Sequence, residues 1–318
     1  MSRRAWFLFI ALGVIWGLPY FFIRIAVREL EPATLIFFRT ALSALILLPI
    51  AIRRRKWASL RGHLPAVVGF TTAEIGIPWL LLGNAEQRVT SSFTGLVIAI
   101  VPLFAAAIAV ALGAERLGKR RAAGLLLGIV GVVVLVGVDV TGTNVVAILE
   151  LLGCAVGYAS APVLASRKLS DVPSFEVVTA AVLLTALAYL PFGVTHLPAH
   201  LYAEDAWSIV ALAVVCTVVA FTIFFALIKE IGPARAVVVT YVNPAVAVLL
   251  GVLALNEPFT LGLAIGFPII LVGSVLGTWT PGSRAATVET PVATIGPVPS
   301  VPDPCAAAPL PDEKAAFS

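Results

Sequence analysis

Three charged residues interrupt long apolar runs: Arg39 in IFFRTAL, Glu74 in TTAEIGIPW, and Glu150. A charge inside hydrocarbon is expensive, so each needs a partner or a purpose. Arg39 lies about six residues, ~9 Å, inside its run. Glu150 sits at a similar depth in its own run, and Glu74 about one helical turn deeper. An Arg side chain reaches across that difference, so Arg39, Glu74 and Glu150 are expected to form one polar network facing a cavity. There Glu74 binds a substrate amine or exchanges a proton, while Arg39 holds a carboxylate or tunes Glu74. The competing reading is a structural ion pair that never touches substrate. Arg24, nearer the end of its run, is expected to snorkel to the surface.

Polar and aromatic side chains suited to a small ligand accompany these charges. Trp16 and Tyr20 stand one turn apart, Tyr158 lies in a later run, and Thr240, Tyr241 and Asn243 precede Pro244. Such rings over a cavity could hold an apolar or cationic solute. Trp6 and Trp79 are expected at the membrane interface or against lipid. Pro102 and Pro244 fall about halfway along two runs, where each removes a backbone donor and frees a carbonyl. In a membrane such a break is tolerated where it lines a cavity or a neighbour repairs it. The two helices are therefore expected to line the cavity, the alternative being a packing kink; Pro19, Pro78 and Pro162 are weaker forms of the same signal. Glu115 and Glu257 each stand just ahead of another helix, where a carboxylate accepts from free amides, and a structural role is expected. His63, His196 and His200 lie in or near loops, and no His-Glu-x-x-His or Asp-rich motif appears. No metal or cofactor is expected, and no Gly-x-x-x-x-Gly-Lys-Ser/Thr loop points to ATP.

The elements that must position these residues follow from composition. The chain is 60% hydrophobic and 12% charged, with a mean hydropathy of +1.05. A soluble domain carries roughly 25% charged residues, so most of this surface is expected to meet lipid. The net charge of +4 does not imply nucleic acid, because the basic residues sit in short clusters between apolar runs. Three cysteines, Cys154, Cys216 and Cys305, make no disulfide framework. The basic, apolar start MSRRAWFLFIALGVIWG has no small-residue cleavage site and is expected to be the first span.

Ten runs can each cross about 30 Å of hydrocarbon as a helix. They lie near 5–27, 33–52, 64–84, 91–113, 122–139, 145–165, 174–195, 206–228, 234–255 and 259–279. Sixteen of the 21 Lys and Arg fall on one side of that alternation, which places both termini in the cytoplasm. The Pro- and Ala-rich stretch 281–318 has no periodic apolar face and is expected to be a disordered cytoplasmic tail.

The runs also repeat. VPLFAAAIAVALGAERLGKRRAAG (101–124) and NPAVAVLLGVLALNEPFTLGLAIG (243–266) share a spacing: Pro102, Glu115, Gly124 and Gly131 recur as Pro244, Glu257, Gly266 and Gly273, 142 residues on. A Gly-x-x-x-Gly pair, Gly13/Gly17, recurs as Gly153/Gly157. Spans 1–5 (1–141) thus resemble spans 6–10 (142–280). Because five is odd, the second copy must enter the membrane from the opposite side. The expected fold is an all-α membrane protein of ten transmembrane helices in two inverted five-helix repeats. Such halves exchange conformations to open a midplane site to either face, as secondary transporters do.

The stretches WGLPYFFIRIA and PATLIFFRTALSALILLP, with the twice-used Pro-to-Glu-to-Gly spacing, resemble the EamA family of the drug/metabolite transporter superfamily. The likeness runs from residue 1 to about 280. It implies ten helices, two EamA repeats and the movement of small metabolites, often amino acids or drugs. The first-span position often held by Lys in that family is Arg24 here, and the second copy has no Arg equivalent to Arg39, so the halves are expected to differ in function. The functional expectation is a secondary transporter in the cell membrane, with export favoured, coupled to protons or a counter-substrate. The alternatives are a membrane-embedded lipid-modifying enzyme and a transport-inactive membrane regulator.

Overall fold

Long apolar sequence in this chain becomes helix, and the computed structural model describes residues 2–113, 118–139, 145–198, 200–231 and 237–278. Among the described residues there is no strand. Among the described residues seven helices are long and apolar enough to cross a membrane: Arg3–Ala26, Pro32–Arg54, Trp57–Glu86, Ser91–Ala111, Val145–Lys168, Ser174–Thr195 and Ala203–Ile231. Three shorter apolar helices, Ala122–Leu135, Val239–Ala254 and Leu261–Leu276, fall in the remaining runs. The predicted tail at 281–318 lies outside the described residues, as does Glu115.

By local geometry the elements are α1 (Arg3–Ala26), α2 (Pro32–Arg54), α3 (Leu64–Thr71), α4 (Ile77–Glu86), α5 (Ser91–Ile98), α6 (Val101–Ala111) and α7 (Lys119–Asp139). Then follow α8 (Val145–Lys168), α9 (Ser174–Thr195), α10 (Ala203–Val210), α11 (Ala220–Ile231), α12 (Asn243–Ala254) and α13 (Leu261–Thr278). Their ends carry ordinary helix chemistry. Ser2 and Thr90 cap α1 and α5 through side-chain oxygens, and Pro32 opens α2 where no N–H is needed. Arg53 and Arg54 close α2, and Arg167 and Lys168 close α8, each pair meeting the negative end of the helix dipole.

The outward faces are apolar: Phe7, Leu45 and Leu253 are each more than 70% exposed. A helix that is hydrophobic all round belongs in lipid. Glycines set how closely the helices approach. Gly13 and Gly17 seat α1 against Val242 and Val246 at the start of α12. The glycines of the repeated spacing meet one another. A Cβ on Gly273 would lie 3.0 Å from the Gly124 carbonyl, and one on Gly266 would lie 3.1 Å from that of Gly131. The repeated spacing therefore packs α7 against α13 backbone to backbone, as small residues do between membrane helices.

Candidate functional site

The third and the eighth apolar runs both loosen from α to π geometry, over Thr72–Gly76 and Ala211–Val219. In the first, Pro78 has no N–H to return to the helix ladder. In the second, Val214, Val215, Thr217, Val218 and Val219 crowd one stretch with branched side chains. A π turn adds a residue to the turn and leaves carbonyls to be satisfied from elsewhere. The Tyr189 hydroxyl of α9 donates to the Gly76 carbonyl at 2.9 Å, and Thr217 donates to Leu212 O at 2.8 Å. Each π segment contributes one inward polar side chain: the half-buried Glu74, with Oε2 enclosed, from the first and the fully buried Thr217 from the second. Their separation is close to the 142-residue offset of the repeat.

Arg39, on α2, joins the two halves. Its Nε donates to Thr217 Oγ1 at 3.1 Å, and its guanidinium carbon lies 3.5 Å from the centre of the Trp79 ring. Ser43, one turn along, lies within hydrogen-bond distance of both Arg39 O (2.8 Å) and Ala213 O (3.1 Å), tying α2 to the second π segment. Arg39 and Trp79 line a small cavity with Ile23, Leu35 and Ile36. Among the described residues Arg39 has no carboxylate within ion-pair distance. Glu74 keeps one carboxylate oxygen, Oε2, buried with no hydrogen-bond partner. Tyr158 of α8 packs against both buried apolar clusters, the one that holds Tyr20 and Cys154 and the one that holds Trp79. Gly157 lets α8 come this near: a Cβ there would sit 2.7 Å from the Ala73 carbonyl.

The arrangement sets Tyr20, the Arg39–Trp79 stack and the segment carrying Glu74 around Tyr158, with no ion pair between Arg39 and Glu74, and leaves other predicted residues out. Glu150 does not join Arg39; its Oε2 accepts from Arg88 Nη1 at 2.6 Å. Trp79 is not at the interface but 8% exposed beneath Arg39. Arg24 does not snorkel free, since its guanidinium donates to the backbone carbonyl of Glu86. Trp16 belongs to a separate aromatic group, with its ring centre 4.9 Å from that of Phe224.

Residues 240–243 gather instead around the helix breaks. Pro102 and Pro244 stand in the first turn of α6 and α12, each just after an interruption. The Ala99 carbonyl at the first break accepts from Ser274 Oγ at 2.9 Å, and Tyr241 donates its hydroxyl to Ser274 O at 3.1 Å. The Asn243 amide, oriented to donate, meets Gly13 O at 3.1 Å. Thr240 lies in the adjoining 3-10 turn, Val237–Tyr241. Tyr20 stands between the two groups, with a ring carbon 3.7 Å from where a Cβ on Gly95 would be.

Glu257 binds helix-start amides, but not those of the helix that follows it. Its Oε1 accepts from Ser91 N (2.7 Å) and Ser91 Oγ (3.0 Å), and its Oε2 from Ser92 N (2.9 Å) and Ser92 Oγ (2.5 Å). It thus closes the start of α5, in the other half of the chain. Reasoning from sequence missed Thr217, Ser43, Glu86 and the Ser91/Ser92 pair. Only Thr217 carried a usable signal, its place opposite Glu74 at the repeat offset.

Comparison with known proteins fits this architecture. Residues 3–137 and again 145–279 match the EamA-like transporter family. The inner membrane transporter YedA of Escherichia coli (strain K12) is 30% identical over 282 residues, 82% of this chain and 88% of its own. A Salmonella typhimurium protein named "probable amino-acid metabolite efflux pump" is 23% identical over 287 residues, 86% of this chain and 94% of that one. A solved crystal structure with 22% identity superposes with a TM-score of 0.63, covering 87% of this chain and 97% of its own, a likeness of fold. The chain belongs to the EamA-like transporter family and is a multi-pass membrane transporter.

Proposed function

We propose that this protein is a secondary transporter that exports a small amine-bearing metabolite of the amino-acid class by alternating access. Its ten spans form two inverted five-helix repeats, 1–141 and 142–280, with both termini and the 281–318 tail in the cytoplasm. Solute binds between the halves. Glu74 receives the ammonium group, Arg39 the carboxylate, and Tyr20 and Tyr158 the remaining polar atoms. The amino-acid efflux name of the Salmonella relative supports that class.

One observation carries this reading. The π segments of the third and eighth runs each aim a polar group inward, and Arg39 bridges from one half to Thr217 of the other. A buried cation held by a hydroxyl and an aromatic face, with a carboxylate on the adjoining π segment whose Oε2 is buried and unbonded, is matched by a zwitterionic ligand. The link also crosses the seam that must open and close if the halves rock. The test is flux of pooled radiolabelled amino acids and aliphatic amines in proteoliposomes, for wild type and Glu74→Gln. Wild type should move at least one solute, and Glu74→Gln should lose it with the fold retained. Normal flux in the variant would remove Glu74 from the site.

A further inference from the structure

Among the described residues the most isolated carboxylate is not Glu74 but Glu86. It is the last residue of α4, is 0% exposed, and has neither carboxylate oxygen hydrogen-bonded. Its position at a helix C-terminus sets it against the negative end of the dipole, where a charged carboxylate is disfavoured. The nearby cations are engaged elsewhere: Arg24 bonds the Glu86 backbone carbonyl, and Arg88 pairs with Glu150. The titratable groups facing it are Tyr20 and Arg24 from α1, Cys154 from α8, and Glu257 from the α12–α13 connection. The other helices on α4 bring no charge there that relieves it. α2 meets it through Pro32 at Gly83, and α5 begins at Ser91, already held by Glu257. A buried carboxylate without a donor is tolerated in its neutral form, with a proton in place of the missing partner.

Glu257 also bears on access. Its four bonds to Ser91 and Ser92 fasten α5 to the opposite half, five and six residues beyond Glu86. Gly251 leaves the space for this clasp, since a Cβ there would lie 2.9 Å from Ser91 Oγ and collide with Ser92 and Glu257.

We propose that Glu86 is a proton-carrying site of the transport cycle, closed off by the Glu257–Ser91/Ser92 clasp. With the clasp shut, Glu86 holds its proton. When the clasp opens, water reaches the carboxyl, the proton passes to it, and the carboxylate left behind is drawn to the Arg24 guanidinium. This rests on the transporter reading and supplies its coupling ion. It assigns that ion to Glu86, leaving Glu74 for the solute.

The experiment is infrared spectroscopy of the full chain in nanodiscs at neutral pH, without solute, following the C=O stretch of protonated carboxyl groups and its deuterium exchange. Wild type and Glu74→Gln should both show a buried protonated carboxyl that Glu86→Gln lacks. Glu86→Gln, a neutral isostere, should fold as stably as wild type. Ser91→Ala/Ser92→Ala should speed exchange of that proton by about tenfold, as loss of one or two hydrogen bonds would. A full signal in Glu86→Gln, marked instability of that variant, or exchange unchanged in the serine variant would each overturn the proposal. None of these readouts involves solute movement, so their failure leaves the transport reading standing, and a failure to carry solute leaves them intact.

Discussion

Arg39 is held by its shape as much as by its charge. The guanidinium lies flat on Trp79 while Nε reaches Thr217, a geometry that a lysine ammonium cannot reproduce. Arg39→Lys is therefore expected to keep the positive charge and the fold but lower solute flux by about tenfold, the worth of one charge-assisted hydrogen bond. Uptake kinetics beside thermal unfolding check this; full flux in the Lys variant would mean that charge alone suffices. Arg39 and Glu74 were legible in the sequence because a charge in an apolar run stands out. Their partners were not. Depth along a run places Arg39 and Glu150 at one height but says nothing about which way each faces, and Glu150 turns to Arg88. Trp79 escaped for the same reason, since an all-apolar helix has no polar face to orient it. Glu86, at the end of its run, carried no sign in the sequence of being buried.

At the scale of elements, close approach between helices decides where the polar groups sit. Gly157 is the clearest case, because the atom a side chain would strike is the Ala73 carbonyl, part of the π segment that carries Glu74. Gly157→Ala should force α8 away from that segment, destabilise the protein by about 1–3 kcal/mol, and weaken solute binding at Glu74. Gly62, where a Cβ would meet nothing within 4 Å, is the control, and Gly62→Ala should stay within about 0.5 kcal/mol of wild type. Thermal unfolding and solute titration of both variants give the comparison. Equal stability would show that α8 can shift freely. The Gly-x-x-x-Gly pairs and the prolines were readable as close packing and breaks. That Ser274 of α13 repairs the Ala99 carbonyl was not, because the partner lies 175 residues away and nothing local marks it. The π segments were invisible too: Pro78 hints at one, but a Val-rich run gives no local sign of the other.

At the scale of the molecule, the ten runs, their apolar faces and the repeat came directly from composition and spacing, since membrane helices must satisfy their backbones internally. The proposed inversion of the halves would set the matching Glu115 and Glu257 junctions in opposite compartments. Gly118, exposed just beyond the first junction, and Phe259, 62% exposed just beyond the second, are suitable reporters. Single Gly118→Cys and Phe259→Cys variants, in a Cys305→Ser background with Cys154 and Cys216 buried, can be labelled with a membrane-impermeant maleimide in right-side-out and inverted vesicles. Gly118→Cys should react only in inverted vesicles and Phe259→Cys only in right-side-out ones; reaction of both from the same side would contradict the inverted repeat and the alternating-access mechanism built on it.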